Sequence, residues 1–126
     1  MPELKLKQIE YEYNTWKRTL EYLIDENIHL KNRLSEILKN RFDKYLLEEV
    51  DDFQNRFIQE DQLVSLIRHD IVELNKLFDR EIFEKEKLKP EIDKKIRKIR
   101  HNLMAAERQF GELKLDFNNF LSENIL

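Results

Sequence analysis

Apolar side chains recur along this chain in alternating steps of three and four. One series runs Leu6, Ile9, Tyr13, Trp16, Leu20, Leu23, Leu30, Leu34, Ile37, with Asn27 in phase. A second runs Leu46, Val50, Phe53, Phe57, Val64, Ile67, Ile71, Leu74, Phe78, with Glu60 in phase. A third runs Ile92, Ile96, Ile99, Leu103, Ala106, Phe110, Leu113, Phe117, Phe120, with Asn124 in phase. Steps averaging about 3.5 residues keep one face of a helix turned toward its partners. The pattern therefore predicts three long helices packed side by side.

Two breaks separate the series. Pro90, followed by Glu91 and Asp93, marks a helix start. Proline suits a first helical turn, and acids suit the positive end of the helix dipole. The stretch Glu84 to Lys89 has little apolar patterning and is expected to fray into a loop. The other break is a change of phase. Continuing the first series would carry Arg41, Lys44, Glu48, Asp51 and Asn55 into the core. A turn explains the change, with Asn40 ending one helix and Asp43 capping the next. However, Leu34, Leu38, Phe42, Leu46 and Val50 are spaced four apart, so a continuous helix carrying a stutter is the alternative.

The expected fold is all-α: an elongated antiparallel three-helix bundle with coiled-coil-like heptad packing, open to assembly into a larger helical oligomer. Its helices span about 5–39, 43–84 and 90–122, within one domain covering 1–126. Short connections make consecutive helices antiparallel neighbours.

Composition supports this and narrows the chemistry. With 1 Gly, 2 Pro and 39% charged residues, the chain suits long helices with solvated outer faces. The 40% hydrophobic share is too high for a disordered segment. There is no cysteine, hence no disulfide framework or thiol nucleophile. Residues 1–8 lack a signal-like apolar run, and no stretch approaches the ~18 apolar residues of a membrane span. A cytoplasmic location is expected. The net charge of −3 is unevenly divided. Residues 1–41 carry 8 basic and 7 acidic side chains, residues 42–88 carry 7 and 13, and residues 89–126 carry 8 and 6. An acidic middle helix between mildly basic neighbours favours one arrangement of pairing.

Catalytic candidates are weak, and the chain is expected not to be an enzyme and to hold no cofactor. Ser35, Ser65 and Ser122 lie outside any glycine elbow, and Gly111 is alone, so no glycine-rich loop cradles phosphate. Glu26-Asn27-Ile28-His29 matches one Glu-x-x-His unit of di-iron bundles. Such sites need two units plus two further glutamates, and neither His69 nor His101 supplies the second. A metal-binding bundle around Glu26, Glu60 and the histidines is thus a remote alternative. On the seam, Asn27, Glu60 and Asn124 are candidates for fixing register. Glu60 is expected to reach the rim beside Arg56 or an arginine of another helix, the alternative being a buried carboxylate with a raised pKa that marks a functional site.

Two surfaces stand out. Lys94, Lys95, Arg97, Lys98 and Arg100 form a basic helical face. It could bind the phosphates of nucleic acid or another anionic surface, although no aromatic side chain interleaves for base stacking. On the second helix, Leu63, Leu66 and Leu77 lie about 100–160° from the core direction when plotted at ~100° per residue. On the other flank lie Leu47, Ile58, Val72 and Phe83, which a wide core stripe could absorb. Gly111 adds a hint, because a helical glycine costs about 1 kcal/mol against alanine and allows close approach of another backbone. The leading expectation is an interaction or assembly module. Its partner is itself or another helical protein, met through Leu63, Leu66, Leu77 and Gly111.

Overall fold

The computed structural model describes the backbone of residues 2–40, 44–84 and 89–124, and the side chains of 7–39, 44–81 and 89–124. Three helices account for nearly all of it: α1 (Pro2–Asn40), α2 (Leu47–Glu84) and α3 (Lys89–Asn124). A 3-10 turn, Lys44–Leu46, leads into α2. At about 1.5 Å per residue each helix is on the order of 55 Å long. The cap expected at Asp43, the loop expected through Lys85–Leu88, and the side chains of Leu6 and Phe83 lie outside the described residues. Pro90 falls in the first turn of α3 with Glu91 beside it, as the geometry of proline requires. At the far end of α3, Asn124 Nδ2 donates to the Phe120 carbonyl at 3.0 Å, folding its side chain back onto the last turn.

Polar links between helices fix their directions. Tyr13 of α1 accepts from Asn75 of α2, and Asn27 of α1 donates to Asp61. Moving fourteen positions up α1 thus moves fourteen down α2, and the two are antiparallel. Glu12 meets Arg100 and Glu26 meets Lys114, so α1 and α3 advance together and are parallel. The stutter alternative, one continuous helix through residues 40–47, is excluded by this reversal.

The seams predicted from spacing form the core. Every described seam position is buried or half-buried except Asn124, which is exposed. All three helices contribute to one buried cluster. Its aromatic end is a group of four rings: Phe117 lies 5.3 Å from Phe53 and 5.5 Å from Phe57, both edge-on, and Phe120 lies 5.2 Å from Phe53. Edge-on rings set positive hydrogens against a negative face. α2 and α3 pack together most extensively, and α1 has its smallest contact with α3.

In heptad terms the seam residues occupy positions a and d, and the flanking e and g positions carry the links. Lys31–Asp61 is an e–e pair across α1 and α2. Arg56–Asp116 and Asp70–Lys95 are g–g pairs across α2 and α3. Glu12–Arg100 and Glu26–Lys114 are g–e pairs across α1 and α3. Equivalent flanks meet between antiparallel helices and opposite flanks between parallel ones, so the charge pattern and the chain directions agree.

Candidate functional site: buried polar groups and the outer face of α2

Among the described residues three polar side chains are sealed in this apolar interior: Asn27, Glu60 and Asp70. Burying such groups is costly unless they are hydrogen-bonded. Asn27 Nδ2 donates to the Phe57 carbonyl at 3.1 Å and to Asp61 Oδ1 at 2.8 Å. Lys31 Nζ holds the other oxygen of Asp61 at 2.5 Å. Asn27 thus ties α1 to α2 through a backbone group and a charged pair, which fits the register role expected of it.

Glu60 does not reach the rim. It is 0% exposed, and Arg56, the expected partner, is held by Asp116 at 2.9 Å and stacks on Phe53. The only hydrogen bond to Glu60 among the described residues comes from Gln109 Nε2, at 3.0 Å to Oε1. Burial pushes its carboxyl up to about 7, Gln109 opposes the shift, and the Asp61 charge adds to it. A position-d side chain points directly between the partner helices, and four bonds of glutamate are too short to turn back to water from there.

Asp70 was not anticipated. It is 2% exposed, with Lys95 Nζ 3.3 Å from Oδ1 and Lys98 Nζ 3.6 Å from Oδ2. It occupies a g position beside Ile67 and Ile71, where most charged side chains bend outward. Two lysines at positions 95 and 98, facing the α2 flank, were the available signal.

That pairing dismantles much of the basic face. Lys95 and Lys98 serve Asp70, and Arg100 holds Glu12 through two guanidinium contacts, one at 2.8 Å. Lys94 and Arg97 remain outward with no ion pair among the described residues. The metal alternative fares similarly. Glu26 is taken by Lys114 at 2.8 Å, and that hydrogen bond holds its carboxyl below the usual value. His29, His69 and His101 are exposed. Among the described residues no three His, Cys, Asp or Glu side chains are grouped to hold an ion.

The apolar flanks of α2 are disposed differently from expectation. Leu63 and Leu77 are half-buried and pack against the core. Leu66 alone of the three is exposed, at 43%. On the other flank, Leu47, Ile58 and Val72 are not absorbed; they are 43%, 51% and 47% exposed. The cause is geometric. A projection at ~100° per residue drifts by about 20° per heptad from a 3.5-residue seam. Measured against the local seam, Leu63 and Leu77 sit at its edge facing α3, where α2 packs most. Ile58, Val72 and Leu66 point outward. Gly111 is exposed on α3, and a Cβ built there would meet nothing within 4 Å. Among the described residues no backbone of another helix comes within 4 Å of that position.

The described residues contain no helix long and apolar enough to cross a membrane. The class defined by these features is an all-α three-helix bundle. Comparison with protein-family models, curated proteins and solved structures gives no match.

Proposed function

We propose that this chain is a non-enzymatic interaction or assembly module, engaging a helical partner or a second copy of itself through the outer surface of α2. The observation that carries this is the exposure of Leu47, Ile58, Leu66 and Val72 on a helix whose core seam is already filled. A single exposed leucine is ordinary, but several on one helix are a better mark of association. The surface extends onto α1: the register of Asn27 against Asp61 brings Ile28, 46% exposed, level with Ile58. The Lys31–Asp61 pair borders the same α1–α2 groove.

The test is Ile58→Glu combined with Leu66→Glu, leaving Leu77 untouched because it packs against the core. Native mass by light scattering and the proteins recovered with the tagged chain are the readouts. Loss of self-association or of a stoichiometric partner, with helicity retained, is the expected result. An unchanged mass and partner set would rule the surface out. Polyanion binding is the weaker alternative, since only Lys94 and Arg97 of the five cations lack an ion pair among the described residues; salt-sensitive retention on heparin would revive it.

A further inference from the structure

Two buried oxygens, one on α1 and one on α2, lack partners at the same level of the bundle. Asn27 Oδ1 and Glu60 Oε2 are both inaccessible and accept no hydrogen bond. The orientation of the Asn27 amide is not interchangeable. Its nitrogen faces the Phe57 carbonyl and the Asp61 carboxylate, which only accept, so its oxygen must point elsewhere. Glu60 lies on the seam between those two partners in sequence. Two acceptors facing a dry interior repel, and each unsatisfied buried acceptor costs about 1–3 kcal/mol. A proton on Glu60 turns one of these acceptors into a donor.

We propose that Glu60 is held in the folded bundle as the neutral carboxylic acid, with Oε2–H donating to Asn27 Oδ1 and Oε1 accepting from Gln109. The layer is a proton-binding site that links all three helices: Asn27 from α1, Glu60 from α2 and Gln109 from α3. The cations able to compensate a carboxylate there are already engaged. On α2, Arg56 is held by Asp116; on α1, Lys31 is held by Asp61; on α3, Lys114 is held by Glu26. Gln109, the α3 group bonded to Glu60, is a neutral amide, and the neighbouring charge on α2, Asp61, is of the same sign.

The sign of the linkage follows. Burial and Asp61 raise the carboxyl from an ordinary 4.5 to about 7. The folded chain then holds a proton that the unfolded chain has released, so stability is greatest below the unfolded value and falls as pH rises through the folded one. The full span corresponds to about a 300-fold rise in the unfolding equilibrium constant. Ionisation places a bare charge at the junction of three helices, and α1, the least extensively packed, is the element positioned to yield.

Carbon-detected NMR of the glutamate side-chain carboxyls, assigned through Glu60→Gln, tests this directly. A Glu60 carboxyl still protonated at pH 6, with a midpoint near neutrality, is the expected result. Titration at the ordinary glutamate value would overturn the proposal and favour a water bridging two acceptors. Glu60→Gln gives an independent readout, because its amide nitrogen can donate to Asn27 permanently. The unfolding constant of the parent is expected to rise between pH 5 and 8 by about 70-fold while that of the variant stays level over the same range. Equal pH dependence in both would overturn the proposal as well. If the variant fails to fold, through-bond assignment of the Glu60 carboxyl in the parent lets its NMR titration decide.

Discussion

Asp70 provides a quantitative test of how this bundle tolerates a buried charge. The carboxylate is 2% exposed, whereas Lys95 and Lys98 are 24% and 51% exposed at their side chains. The pair is therefore lopsided: one partner is sealed and the other two border water. Replacing Lys95 by Met strands the carboxylate with only the 3.6 Å contact to Lys98. Breaking a buried pair costs about 3–5 kcal/mol, and the remaining lysine places the expected loss near the lower bound, about 3 kcal/mol. Replacing Asp70 by Leu instead removes the sealed charge and frees two ammonium groups to turn to solvent. Added apolar burial is offset by added volume, so this variant is expected within about 1 kcal/mol of the parent. In the Asp70→Leu background, Lys95→Met should change stability by no more than about 0.5 kcal/mol, typical of a surface position. The coupling in the cycle is then about 3 kcal/mol. Urea unfolding followed by helical circular dichroism, at neutral pH and at low and high salt, measures all four corners. A Lys95→Met variant as stable as the parent, or an Asp70→Leu variant several kcal/mol weaker, refutes the asymmetry.

Two further expectations concern the surface. Gly111→Ala adds a methyl into open space on a helix and should stabilise the chain by about 1 kcal/mol; a lower native mass or a lost partner would instead show that another molecule approaches there. The Glu26–Lys114 link acts in the opposite pH direction to Glu60. Lys114 holds the Glu26 carboxyl below its ordinary 4.5, so its contribution is complete above that value and is lost as pH falls through the lower folded value. Lys114→Met should therefore weaken the protein at neutral pH, with the difference from the parent vanishing in acid. A difference that persists in acid would assign the effect to lost packing of the lysine stem.

The helices and their seams were legible because spacing is a one-dimensional signal. Trp16, Phe57, Ile67, Leu103 and Phe117 could be placed in the core from their neighbours alone, and each is buried. Pro90 announced the start of α3 for an equally local reason. What could not be read depended on a second helix. Asp70 is buried because α3 presents Lys95 and Lys98 to it, and a run of cations on one helix does not say which acid of another helix will meet it. Glu60 was expected to find an arginine, but Arg56 lies closer to Asp116 on the α3 flank. Leu63 and Leu77 differ from Ile58 and Val72 only by which flank meets a tightly packed neighbour. Such outcomes are set by pairwise packing, which the period of a single helix does not encode.

The uneven packing of the three helices has a kinetic consequence. α2 and α3 form a hairpin from neighbouring sequence, while the links of α1 to α3 join residues 88 positions apart. The links of α1 to α2 are as local as those of α2 to α3, so the order is set by packing, which is most extensive between α2 and α3. The hairpin is thus the expected nucleus, with α1 docking last and detaching first as a cooperative unit. Slow amide exchange confined to α2 and α3 would display that order, and uniform protection would contradict it. A detached α1 leaves behind a groove that any copy of the same helix fits equally well. In a crowded solution neighbouring chains could then trade first helices, and the association state would follow from how often that helix lets go.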